Sequence, residues 1–235
     1  MAPDKAIPPT AIGRSAARIA ILTALIPTLT VNLCYLVSGI QGHVLVCVPY
    51  LEGCTSISSA GRHGVSFWLF KAGMAGSAAL LALYWRRLAA LIEAGTGRTA
   101  PAALAVGAGG AVFLVLYTAF LGTEGHIYFL LRRFGTILYF GLTVTAQLMA
   151  LRRLEAFAPR WLTRAKKAGC VAMLAFGGAS IPVMNYMDNQ HAFQNIIEWN
   201  LSLLMQTYFL LTGIWLARLR RSRAAGRRAG GRMAG

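Results

Sequence analysis

Six apolar runs, each of about 18–22 residues, dictate the solvent of this chain: at 1.5 Å rise per residue such a run matches the ~30 Å hydrocarbon layer of a bilayer. They are Ile19–Ile40, Val65–Trp85, Ala102–Leu121, Phe134–Leu151, Cys170–Met187 and Ile196–Leu216. A soluble core helix of this length carries a polar stripe, and these mostly do not. Inside lipid, backbone N–H and C=O groups must pair within their own segment, so successive apolar runs specify helices. The predicted fold is all-α, a polytopic membrane protein with a six-helix transmembrane bundle over residues 19–217. A short segment (1–18) precedes it and a basic tail (218–235) follows.

The charges sort by side. Of the 23 Lys and Arg, nineteen lie at the N-terminus (Lys5, Arg14, Arg18), in the second connection (Arg86, Arg87, Arg98), in the fourth (Arg152, Arg153, Arg160, Arg164, Lys166, Lys167) and in the tail from Arg218 to Arg232. The opposite connections hold only Arg62, Arg132 and Arg133. The positive-inside rule then predicts cytoplasmic N- and C-termini. A net charge of +16 on a soluble chain would suggest nucleic acid. Here orientation accounts for most of it, and no nucleic-acid partner is expected. The excess of Arg over Lys, with abundant Ala and Gly, is compatible with a GC-rich bacterial genome and so with a bacterial inner (plasma) membrane. Beyond Arg223 the tail is Gly, Ala and Arg, with nothing to bury, and is expected to be unfolded and able to touch anionic lipid. The first run is too long for a signal-peptide core and carries Asn32 and Tyr35, so it is read as a retained span.

All four histidines (His43, His63, His126, His191) and four carboxylates (Glu52, Glu124, Asp188, Glu198) fall in or beside the first, third and fifth connections. Chemistry is therefore expected on that side. The sharpest local signal is in the last run, where Gln194, Glu198, Ser202 and Gln206 recur every four residues and share one helix face. A carboxylate at that depth costs a few kcal/mol if charged, so Glu198 is either a functional group or one half of a packing ion pair. Lys71, about two turns into the second run, is the expected partner, or else lines the same polar cavity. Thr136, Thr143 and Gln147 share one face of the fourth run, and Thr28, Asn32 and Tyr35 one face of the first. These either line the cavity or bond neighbouring helices.

If a reaction occurs, Glu198, His63 and His126 are the acid–base candidates. Lys71 and Arg62 would hold an anionic head group, with Glu52, Tyr50, Gln194 and Ser202 completing the binding set. Metal ligation by His126, Asp188 and His191 is a weaker reading, because no spacing matches a ligand motif. Ser56 or Ser58 with His63 is a nucleophile-pair alternative without the usual Gly-x-Ser-x-Gly turn. Cys47 and Cys54 share the first connection and are disulfide candidates. No cofactor is indicated.

The landmarks Val48-Pro49-Tyr50-Leu51-Glu52-Gly53, then Val65-Ser66-Phe67-Trp68, Phe134-Gly135-Thr136-Ile137-Leu138-Tyr139-Phe140 and Asn195-Ile196-Ile197-Glu198-Trp199 follow in order. In this the chain resembles the FRAG–DRAM–SFK family of six-span membrane proteins, which includes autophagy modulators and a GPI-lipid remodelling factor. The family has a His at the start of its fourth span where this chain has Arg132. The resemblance implies a six-span bundle with a link to membrane lipid, and Glu198 as its best-matched polar position. The function expected is binding or remodelling of lipid through an outward polar cavity. The alternatives are a non-enzymatic membrane organiser, and a small-solute or proton-coupled transporter.

Overall fold

The structure, a computed structural model, describes residues 14–186 and 190–233, with the backbone alone for residue 14, residues 179–186, 223–224 and 226–233. The described residues form helices and no strand. Six are long: α1 (Arg14–Ile40), α4 (Gly64–Thr96), α5 (Pro101–Phe120), α6 (His126–Leu154), α7 (Arg160–Tyr186) and α8 (Gln190–Met233). Two short ones, α2 (Pro49–Glu52) and α3 (Ile57–Ala60), lie in the first connection. Five of the long helices are apolar enough to cross a membrane, within Ser15–Ile40, Gly64–Thr96, Pro101–Phe120, His126–Leu154 and Gln190–Ser222. The predicted span Cys170–Met187 falls in α7, which is not among these five. Arg160, Arg164, Lys166 and Lys167 occupy its first turns, and Met187 lies outside the described residues. At the other end α8 runs on to Met233, through the stretch where composition predicts an unfolded tail. Ala and Arg are strong helix formers, so the backbone continues without needing a core to bury.

Packing follows the small residues. Helix α1 lies between α4 and α8, α5 bridges α4 and α6, and α7 rests on α8, whereas α6 and α7 barely touch. Ala103, Gly107 and Ala111 are buried on α5, as their four-residue spacing suggests, and Gly110 beside them is buried too. A Cβ at Gly107 would fall inside the Trp85 indole, and one at Gly213 would meet Ile21 of α1. The core is aromatic, with Trp85, Trp199, Tyr208, Phe70 and Phe209 fully buried. Outside, α1 exposes Leu22, Leu25, Leu29, Leu33, Leu36 and Ile40 along one face. A stripe of that length has no place against water and suits acyl chains.

The first connection is tied down. Cys47 and Cys54 form a disulfide with Cα atoms 6.4 Å apart. The Tyr35 hydroxyl donates to Cys47 O and accepts from Cys47 N, both at 2.7 Å. From α8, Asn195 donates to Gly53 O (2.8 Å), Trp199 Nε1 to Thr55 O (2.9 Å) and Asn200 to Tyr50 O (2.8 Å). Polar positions on α1 and α8 thus satisfy loop carbonyls that helix ends and irregular backbone leave unpaired.

Candidate functional site

The thin seam beside α6 and α7 opens a crevice of about 570 Å³. Arg62, Arg132 and Arg133 line one part of it; Phe129, Ile137, Phe140, Ile197 and Leu201 make its apolar wall; Gln194 and Glu198 face it from α8. Arg62 comes from the segment after α3, the other two arginines from the second turn of α6. Phe129 and Ile137 are half or more exposed, so the apolar wall reaches the protein's outer surface. A second, more polar cavity of about 660 Å³ adjoins it and holds His63, Glu124 and His126. Arg62, Phe129 and Arg132 line both cavities.

Glu198 sits at the inner boundary of the crevice. The Ile57 backbone N–H lies beside its carboxyl, and Tyr117 stands among Glu198, Arg62 and Arg132. Below the crevice a small cavity of about 20 Å³ lies between Glu198, Ser202, Gln206, Tyr139 and Thr136, closed by Pro27 of α1. The stripe on α8 therefore keeps one face towards the crevice and this small cavity, whose lining also includes the apolar Val31, Met74, Leu114 and Phe140.

Charge balance distinguishes the arginines. Among the described residues the one ion pair is Lys167–Glu155, at 2.6 Å. Arg132 is engaged: its guanidinium donates to Phe120 O at 3.1 Å and to Thr123 O. Neither the Arg62 nor the Arg133 guanidinium makes a hydrogen bond or an ion pair with the described residues. Two guanidinium groups with no anion among the described residues, beside one held in place, form a basic mouth on an apolar crevice. Guanidinium is matched in shape and charge to phosphate or carboxylate oxygens.

Several sequence expectations are redistributed. Lys71 does not pair with Glu198 and lines neither cavity. Its amine donates to Ala119 O at 3.3 Å and lies 4.4 Å from the Phe67 ring centre. The last carbonyls of α5 have no intrahelical donor, and a cation meets both that need and the negative end of the helix dipole. Glu52 accepts from Val48 N at 2.7 Å at the start of α2, and Tyr50 bonds Asn32 and packs its ring 5.1 Å from Trp199. Both hold the loop to the bundle. Ser56 caps α3 by accepting from Ser59 N at 3.0 Å. His63 and His126 line the more polar cavity and Glu198 does not, so the three do not share one chamber. His43 and His63 stack loosely, 5.4 Å apart. His191 is exposed, Asp188 lies outside the described residues, and among those described no three His, Cys, Asp or Glu side chains are grouped to hold a metal.

Arg132 and Arg133 were absent from the binding set read from sequence. The signal was present all the same: with Arg62 they are the bases that the positive-inside count leaves on the carboxylate-rich side. Compared with known family models, curated proteins and solved structures, the chain matches none.

Proposed function

We propose that this is a six-span membrane protein with cytoplasmic termini that binds a membrane lipid with an anionic head group in the crevice beside α6 and α7. One observation carries the reading: Arg62 and Arg133, with no anionic partner among the described residues, stand at one part of a crevice whose remaining wall is apolar. A phosphate or carboxylate at the arginines and an acyl chain along Phe129, Ile137, Phe140 and Leu201 complement both halves. Charge sidedness supports the orientation, because it leaves the arginine mouth on the outer face. The family resemblance points the same way, to lipid rather than to a water-soluble substrate.

The test is lipid retention. The full chain, purified in mild detergent, is titrated with fluorescent phosphatidylglycerol and, separately, with a fluorescent diacylglycerol that has the same chains and no phosphate. Phosphatidylglycerol should bind tighter by about tenfold or more, each tenfold being about 1.4 kcal/mol. Arg62→Ala with Arg133→Ala should erase the difference. Equal affinity for the two probes in the unsubstituted chain sinks the reading.

A further inference from the structure

The groups that lipid binding leaves unused form a line through the bundle. It begins at the 20 Å³ cavity where Glu198, Ser202, Gln206 and Tyr139 meet the apolar Val31, Met74 and Leu114, a volume large enough for one water. From Tyr139, Thr143 and Gln147 continue the same face of α6 at four-residue steps, and both are fully buried. Among the described residues Thr143 Oγ1, both amide atoms of Gln147 and Gln206 Oε1 have no hydrogen-bond partner. At the Gln147 level the Tyr208 hydroxyl donates to Gln147 O at 2.8 Å. The Lys166 amine lies 3.5 Å from the centre of the Tyr208 ring and donates to Thr212 Oγ1 at 2.6 Å. Thr212 in turn meets the Tyr84 hydroxyl at 3.0 Å. Tyr84 and Thr212 then line a cavity of about 10 Å³ that reaches the exposed Arg87.

Each unpartnered buried polar atom costs about 1–3 kcal/mol, so a row of them is an expensive way to pack helices. Water can meet that cost only if the row is hydrated. Glu198 and Thr212 are fourteen residues apart in α8, about 21 Å at 1.5 Å per residue, which is most of a ~30 Å hydrocarbon layer. An ionisable group stands at each end of that interval. Amide, hydroxyl and phenol groups, each able to donate and to accept, occur at intervals along it.

We propose that this column, from Glu198 through Gln206, Tyr139, Thr143 and Gln147 to Lys166 and Tyr84, conducts protons across the membrane. A proton arriving from the crevice is taken up by the Glu198 carboxylate, passes by water and side-chain hydroxyls to the Lys166 amine, and leaves past Tyr84 towards Arg87. No bond other than O–H and N–H is made or broken, and the driving force is the proton gradient or the membrane potential. The column does not depend on the arginine mouth, so it stands or falls separately from lipid binding.

The full chain is reconstituted in phosphatidylcholine and phosphatidylglycerol liposomes that enclose a pH-sensitive dye, and a potassium diffusion potential is imposed with valinomycin. The unsubstituted protein should acidify the lumen faster than protein-free liposomes do. Glu198→Gln, Lys166→Met and Gln147→Leu should each reduce the rate to the protein-free value, while Thr207→Val, on the exposed face of α8, should keep it. Circular dichroism and monodisperse elution establish that each variant is folded. No flux above protein-free liposomes overturns the proposal, and so does an unchanged rate in folded Gln147→Leu, whose side chain matters only if the column is continuous.

Discussion

The Lys166 amine donates to the Thr212 hydroxyl at 2.6 Å, fully buried and with no carboxylate among the described residues to neutralise it. One hydroxyl and one aromatic face compensate a buried lysine head poorly in either form, since desolvation outweighs what they return and disfavours the ammonium most. Lys166→Met keeps the length of the stem and removes the polar head. Its thermal midpoint in detergent should equal or exceed that of the unsubstituted chain. Thr212→Val should do the opposite, lowering stability by about 1–3 kcal/mol because the amine and the Tyr84 hydroxyl both lose a partner. Destabilisation by Lys166→Met as large as that by Thr212→Val would mean the amine is there for packing. If the Met variant is as stable or more so, the lysine is retained at a cost, as a functional group is.

Helix contact supplies a second prediction. Gly107 of α5 lies flat against Trp85 of α4, and no side chain fits between them. Gly107→Ala should cost about 1–3 kcal/mol, the range for overpacking a tight core. Gly109→Ala, two residues along, meets only ordinary contact with Leu142 at 3.4 Å and should be neutral or slightly stabilising. Parallel thermal melts of the two variants check the contrast.

The spans were legible in the sequence because length and apolarity are local properties, and five of the six predicted runs lie in helices that meet both criteria. The α8 stripe was legible for the same reason, since four-residue spacing fixes a face before any neighbour is known. Partners were not. Lys71 reads as the mate of Glu198 because opposite charges in lipid ought to meet. The nearer need is the unpaired carbonyl of Ala119, which exists only once α5 ends beside α4. Lys166 reads like Arg164 and Lys167, one more base orienting a span. Which of the three turns inward depends on how α7 is rotated against α8, and no single-helix pattern encodes that.

Closing of the first connection by Cys47–Cys54 gives a third prediction. The bridge links residues seven apart, and loop-closure entropy assigns a loop of this size a stabilisation of about 2–3 kcal/mol. Its hold passes to the bundle through Tyr35, which bonds Cys47, and through Asn195, Trp199 and Asn200, which grip the segment from Tyr50 to Thr55. Reduction, or Cys54→Ser, should lower the thermal midpoint and make the stretch between His43 and His63 sensitive to limited proteolysis, while the helical content stays the same. Unchanged protease resistance after reduction would show that the α8 contacts alone secure the loop.

Adjacent arginines make the last prediction the most selective. Arg132 and Arg133 follow one another on α6 and line the same crevice, yet among the described residues only the Arg132 guanidinium is bonded to protein, at Phe120 O and Thr123 O. Those carbonyls end α5 and start the turn into α6, where no intrahelical donor reaches them. Phe120 O keeps the Thr123 N–H at 3.2 Å, but Arg132→Ala leaves Thr123 O bare and frees the clamp across the turn; it should lower stability by about 1–3 kcal/mol, with lipid binding falling because the crevice itself loosens. Arg133→Ala breaks no bond among the described residues and should leave the melt within about 0.5 kcal/mol of the parent. Its preference for phosphatidylglycerol over the phosphate-free probe should nevertheless drop. Arg133→Lys should recover part of that preference, since charge is kept while the bidentate fork is lost. If Arg133→Ala instead melts early and keeps its preference for phosphatidylglycerol, the side chain is part of the scaffold and the basic mouth is reduced to Arg62.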